Sequence, residues 1–153
     1  MQFIEITEEN WEEIIQLKPR DEQAPYLRTD IALHSLARCY VGRDRPDRFL
    51  PYAIQQEGEY IGAFLLRSYG RGCNLTSFFI DENFQGKGFG RRALGKYLDF
   101  VRENYPEARE IEIAVAPGNT IAERLYQSFG FEYTGEVTHR GNLYMELHLP
   151  AED

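Results

Sequence analysis

The segment FFIDENFQGKGFGRRAL, residues 78–94, constrains this chain more than any other. It runs from an apolar strand end through an acidic step into glycines at positions 86, 88 and 90, and then into an amphipathic helix. Glycines in this pattern remove Cβ atoms and let the backbone curl closely around a ligand. The N–H groups that open the following helix have no intrahelical acceptor and lie at the positive end of its dipole. Phosphate oxygens satisfy both conditions, and Lys87, Arg91 and Arg92 add positive charge. The alternative is a glycine-rich turn that only joins strand to helix. A Walker A loop is excluded, because it needs Ser or Thr after Gly-Lys and here Gly88 follows Lys87. A dinucleotide fingerprint reads GxGxxG directly off the first strand of a βαβ unit. This loop is GxGxG, late in the chain, and set off from its strand by DENF.

The pattern around the loop gives the element order. QFIEI alternates as a short strand; Thr7 can cap a helix carrying Glu8 and Glu9 in its first turn and an apolar face of Trp11, Ile14 and Ile15. Pro19 and Pro25 break that helix, and a second follows with Leu33, Leu36, Ala37 and Tyr40 at helical spacing. YAIQQ and YIGAFLLRS flank a turn at residues 57–59 and read as a hairpin, with NLTSFFI as the next strand. The helix after the glycine loop buries Ala93, Leu94, Tyr97, Leu98 and Val101. EIEIAV is a strand; Asn119 caps a short helix from about Thr120 to Phe129 that Gly130 stops; FEYTGE and LYMELHL close the chain as strands. The order β-α-α-β-β-β-α-β-α-β-β predicts a mixed α/β fold with a mostly antiparallel sheet and about four helices. The crossover helix between NLTSFFI and EIEIAV makes that strand pair parallel.

The chain has 153 residues, which suits a single domain over 1–153. Its net charge of −8 argues against nucleic acid as a partner; it could steer a cationic substrate or simply keep the chain soluble. No apolar run is long enough for a bilayer, and MQFIEITEEN is unlike a signal peptide, so a cytoplasmic protein without membrane association is expected. Cys39 and Cys73 form no CxxC and fit free thiols in a reducing compartment. His34, His139 and His148 show no metal-ligand spacing, so no metal is expected.

QGKGFG resembles the Q/R-x-x-G-x-G/A pyrophosphate loop of the GNAT superfamily of acetyl-CoA-dependent N-acetyltransferases. VAPGN followed by AERLYQSFGF resembles the later strand and helix of that superfamily, and the element order matches its fold along nearly the whole chain. The resemblance implies a sheet whose two parallel strands splay apart, with acetyl-CoA as co-substrate. It implies that the backbone around Phe79 and Ile80 pairs with the pantetheine arm. Backbone N–H groups of Gln85, Gly86, Lys87, Gly88, Phe89, Gly90 and Arg91 would hold the pyrophosphate. Asn119 would reach the cofactor near the splay, and Tyr126 would lie beside the thioester sulfur. A tyrosine of pKa about 10 stays protonated at neutral pH and can act as general acid toward the leaving thiolate. On periodicity alone, Tyr126 reads as a core residue on the stripe of Leu125 and Phe129, and the motif context reverses that reading.

A backbone N–H on the strand ending at Ile80 would stabilise the oxyanion. No carboxylate stands in NLTSFFI, so the base stays open; Glu112 or Asp81 acting through water, or capture of neutral amine, would each serve. LKPRDEQAPYL with HSLARCY resembles bacterial spermine/spermidine (diamine) acetyltransferases, which implies a polyamine acceptor. Glu22 would take an ammonium and Tyr26 a cation–π contact, against the alternative of a solvated charged loop. A peptide amine, another small amine such as an aminoglycoside, and a non-catalytic coenzyme A-binding module remain alternatives. A homodimer also stays open.

Overall fold

The computed structural model describes residues 1–151. A seven-stranded sheet in the order β1-β2-β3-β4-β5-β7-β6 carries helices on both faces. The elements are β1 (Gln2–Glu5), α1 (Trp11–Ile14), α2 (Ile31–Val41), β2 (Leu50–Gln56), β3 (Glu59–Ser68), β4 (Gly72–Ile80), α3 (Phe89–Asn104), β5 (Glu110–Val115), α4 (Thr120–Ser128), β6 (Glu132–Val137) and β7 (Leu143–His148). This is the order expected from the pattern. β4 and β5 are parallel, and every other strand pair is antiparallel. Among the described residues no helix is long and apolar enough to cross a membrane.

The β2–β3 hairpin turns at Glu57 and Gly58, both at positive φ (50° and 82°), the backbone a two-residue type I′ turn requires. α3 buries Ala93, Leu94, Tyr97, Leu98 and Val101 against Cys73, Leu75, Ile111, Ile113 and Met145 of the sheet. α4 closes the same face with Tyr126, helped by half-buried Ala122, Leu125 and Phe129. On the other face a smaller cluster joins Ile14, Ile31 and Ala32 to Ala53, Ala63 and Phe79.

Two local expectations are corrected. Thr7 does not cap a helix: its carbonyl accepts from the N–H groups of Asn10 and Trp11, Asn10 Oδ1 accepts from its N–H at 2.8 Å, and the helix begins only at Trp11. Glu8 and Glu9 therefore belong to a turn. In α2 the stripe of Leu33, Ala37 and Tyr40 faces solvent, while Ile31, Ala32 and Ser35 are buried. The sequence offers two apolar stripes on this helix. The buried one tolerates a serine because Ser35 Oγ donates to the Ile31 carbonyl at 2.7 Å.

α2 lies over β2, β3 and β4. The same sheet face at β5 and β7 carries Glu110, Glu112 and Glu146, all half-buried, in place of apolar residues. The order α2, open groove, acidic strip is what gives the candidate site its shape.

Candidate active site

The β4–β5 register ends at Leu75↔Ile113. Beyond it the parallel strands diverge, and the gap opens into a cavity of about 390 Å³ lined by Thr76, Ser77 and Phe78 on one side and Ala114, Val115 and Ala116 on the other. The same stretch of β4 is irregular. Its pairing with β3 jumps from Ala63↔Phe79 to Leu65↔Thr76, so Ser77 and Phe78 together face Phe64. Ser77 sits at φ 53°. Such bulges bend a strand and re-aim its groups. This one breaks the ladder at the splay, where no residue pattern marked it in advance: Ser77 has no glycine-like signature.

Asn119 and Tyr126 of α4 both line this cavity. Asn119 Oδ1 accepts from the Ala122 N–H at 3.4 Å, the N-cap geometry expected for it. Tyr126 is buried, its ring 6.0 Å from that of Phe131. Among the described residues its hydroxyl has no hydrogen-bond partner within the protein, and burial pushes its pKa up to about 12. Phe79 and Ile80 are buried and pair with Ala63 and Gly62 of β3. They fall outside the cavity lining, which reaches β4 from Asn74 to Phe78.

The glycine loop lies beyond the end of β4. Asp81 anchors it, accepting from the N–H groups of Lys18 and Asn83 at 2.9 and 3.1 Å. Both oxygens of Asp81 thus hold backbone, which suits a structural carboxylate better than a base. Gln85 Nε2 donates to the Ile80 carbonyl at 2.8 Å and to Gln23 Oε1 at 2.6 Å, tying the loop to the segment after α1. Gly86 and Gly88 take φ of 77° and 81°, a region that costs other residues about 1–2 kcal/mol. Gly90 does not; it is an ordinary helical residue whose Cβ would sit 3.8 Å from Ile80 Cγ1. The helix ladder starts with the Arg92 N–H on the Gly88 carbonyl. Ahead of it, the N–H groups of residues 85–91 have no protein acceptor among the described residues. Exposed Lys87 and Arg91 flank this row; Arg91 Nη1 also donates to Ser128 Oγ at 3.0 Å, linking α3 to α4. A row of free N–H groups at a helix start beside cations fits a pyrophosphate.

The residues expected on the acceptor side separate. Tyr26 lines the cavity and reaches toward Gly118 of the β5–α4 loop. Glu22, exposed in the short 3-10 turn Asp21–Gln23, does not line it. Asn74 and Thr76, side by side in the groove floor, had not been singled out. Thr76 Oγ1 donates to Asn74 Oδ1, and Asn74 Nδ2 donates to Glu112 Oε1 at 2.9 Å. Glu112 is therefore one side chain behind the lining. Further along the open face, Glu110, Glu146 and exposed His148 place ligand-type atoms within 4.8 Å of one another. Burial and then the neighbouring Glu110 raise the pKa of Glu146. Strand register, not sequence spacing, brings these three together.

The sequence profile of the family described as Acetyltransferase (GNAT) matches residues 4–131. A spermine/spermidine N(1)-acetyltransferase of Bacillus subtilis is 29% identical over 154 aligned residues, covering 94% of this chain and 95% of that protein. Among solved structures, a spermidine N-acetyltransferase from Vibrio cholerae in complex with coenzyme A and spermine superposes with a TM-score of 0.71 at 18% identity, covering 96% of this chain and 94% of that one. An aminoglycoside acetyltransferase in complex with coenzyme A gives 0.76 at 20% identity, with the same coverage.

Proposed function

The chain belongs to the acetyltransferase (GNAT) family and is an N-acetyltransferase, and we propose that it moves the acetyl group of acetyl-CoA directly onto the primary amine of a small molecule. The observation that carries this reading is the joint placement of Asn119, Tyr126 and the bulged strand around one splayed cavity. The thioester supplies the electrophilic carbonyl and a thiol leaving group. The N–H groups of residues 85–91 hold its pyrophosphate, and the β4 backbone freed by the splay faces the pantetheine arm around Phe79 and Ile80. The amine nitrogen bonds to the acetyl carbon, the carbon–sulfur bond breaks, the sulfur gains a proton and the amine loses one.

Tyr126 is the hydrogen-bond donor to the departing sulfur, which in net takes up the proton that the amine loses. With its pKa pushed up to about 12, the phenol is fully protonated at neutral pH. It is also a weaker acid than an ordinary thiol of about 8.5. It therefore acts by donating a hydrogen bond to the sulfur as charge develops, rather than by surrendering its proton early. Glu112, whose Oε1 accepts from Asn74 Nδ2, is the carboxylate just behind the cavity lining and would receive the amine's proton through water. Free Cys39 and Cys73 support a reducing, cytoplasmic setting.

A polyamine acceptor is the second reading. The spermine/spermidine relative at 29% identity supports it, and so does the acidic strip of Glu110, Glu112 and Glu146. Release of free thiol from acetyl-CoA, followed across a panel of amines, tests the proposal. Amine-dependent release is expected; release that no amine accelerates would reduce the protein to a coenzyme A-binding module.

A further inference from the structure

Opposite the splay, the wall of the cavity is basic. Arg38 of α2, Arg67 of β3 and Arg140 of the β6–β7 loop converge there, joined by Arg28 and His34. No Asp or Glu lines this cavity. Arg28 is neutralised by Asp30 through contacts of 2.8 and 3.1 Å. Among the described residues, Arg38, Arg67 and Arg140 have no carboxylate within salt-bridge distance. Arg67 Nε is buried and has no acceptor at all. The guanidiniums of Arg38 and Arg67 lie 4.5 and 5.0 Å from the centre of the Phe49 ring, which holds both in place. Burial and then the charges of Arg140 and Arg67 lower the pKa of Arg38, so these cations are close enough to repel. Burial and the charges of Arg28, Arg38 and Arg140 likewise lower the pKa of His34, with Asp30 opposing.

Unpaired, mutually repelling guanidiniums with a buried free donor are costly unless an anion joins them. Fixed guanidinium forks fit oxyanions, to which each donates two parallel hydrogen bonds. The chain as a whole carries −8, yet the carboxylates beside this wall are already engaged, Asp30 by Arg28 and Asp47 by Arg45. The geometry points to an oxyanion subsite: the acceptor amine carries a carboxylate or phosphate that seats among Arg38, Arg67 and Arg140 while its nitrogen faces Thr76 and the splay. The cavity volume suits a small molecule. This inference rests on the acetyl-transfer reading and narrows its acceptor to an amine bearing both charges. A polyamine would meet these arginines with ammonium groups only.

Matched acceptors test it: 4-aminobutyrate against butylamine for the carboxylate, O-phosphoethanolamine against ethanolamine for the phosphate, and spermidine alongside. Binding is read by calorimetry with coenzyme A present, and turnover by thiol release. The oxyanion member of at least one pair should bind at least about tenfold more tightly than its neutral partner. Which pair shows the larger ratio identifies the oxyanion. Arg140→Ala, on an exposed loop, and Arg67→Gln should both collapse the ratio, by raising Kd and KM for the oxyanion acceptor without altering coenzyme A affinity. Equal binding within both pairs, tighter binding of spermidine than of either oxyanion, or a ratio indifferent to both substitutions would overturn the inference. A binding difference without any turnover would instead refute acetyl transfer and leave the subsite standing.

Discussion

Gly88 and Gly58 form a matched pair that isolates the role of the glycine loop. Gly88 opens α3 at φ 81°; Gly58 sits in the β2–β3 hairpin at φ 82°. A Cβ built on either would meet no heavy atom within 4 Å. Alanine at each position therefore carries the same structural cost, the left-handed backbone penalty of about 1–2 kcal/mol. At about 2–4 °C per kcal/mol for a chain of this size, both variants should lose about 2–8 °C in Tm. They should differ only toward ligand. At Gly88 the new methyl enters the space in front of the free N–H groups. Losing one charge-assisted hydrogen bond, about 1.5–3 kcal/mol, corresponds to roughly a 10–100-fold rise in the Kd for coenzyme A. Gly58→Ala should leave that Kd unchanged. Gly90→Ala is a third arm: its φ is ordinary and its neighbour Ile80 lies at a comfortable 3.8 Å, so it should fold at least as stably as the parent while still weakening coenzyme A. Calorimetric titration of the three folded variants decides. Equal coenzyme A affinity in Gly88→Ala and Gly58→Ala would refute the pyrophosphate assignment.

Tyr126→Phe should leave Tm and coenzyme A binding nearly unchanged, because the hydroxyl has no protein partner, and lower kcat by about 10²-fold, the low end expected for a general acid as weak as this one; undiminished kcat would make Tyr126 a packing residue. Alkaline stability provides a separate check. Burial raises Cys73 to about 11 and Tyr126 to about 12, so the folded state keeps protons that the unfolded chain releases at its ordinary pKa values. This contribution is full below about pH 9 and disappears as pH rises through 11–12, at about 1.4 kcal/mol per pKa unit. Urea midpoints measured at pH 8 and pH 11 should therefore fall with pH, and equal midpoints would contradict the burial of these groups.

The elements were legible because they rest on local rules. Alternation in EIEIAV gave β5 to the residue, and Asn119 and Gly130 marked the ends of α4 as cap and stop. The α2 stripe was not legible, because Leu33, Ala37 and Tyr40 make as good a period as the residues that are buried. Only the position of β2 and β3 decides which side faces inward. The donor half of the site is contiguous in sequence and could be read as a motif. The basic wall of the cavity is assembled from α2, β3 and the β6–β7 loop, and nothing in the spacing of Arg38, Arg67 and Arg140 connects them. The bulge at Ser77 was equally hidden, since a serine in the left-handed region is imposed by pairing with β3 rather than by its own preference.

Net charge by itself does not choose the acceptor, for a related reason. It describes the field far from the protein, and at about 0.15 M salt that field is screened beyond about 8 Å. Inside a low-dielectric groove the nearest charges dominate. Here the charge is divided by place. Cations flank the glycine loop and line the α2 side of the cavity, while carboxylates gather on the open face of β5 and β7, of which Glu112 lies one side chain behind Asn74. An acceptor entering the groove thus meets positive charge on the α2 side and the neutral side chains of Asn74 and Thr76 on the β5 side, with Glu112 one side chain behind them. The proposed acceptor, with an oxyanion at one end and an amine at the other, would be held in a single orientation, its nitrogen on the side of Glu112. A polycation is repelled by the α2 side. That asymmetry is the physical ground of the proposed oxyanion subsite, and the comparison of spermidine with the oxyanion amines tests it against the overall acidity of the chain.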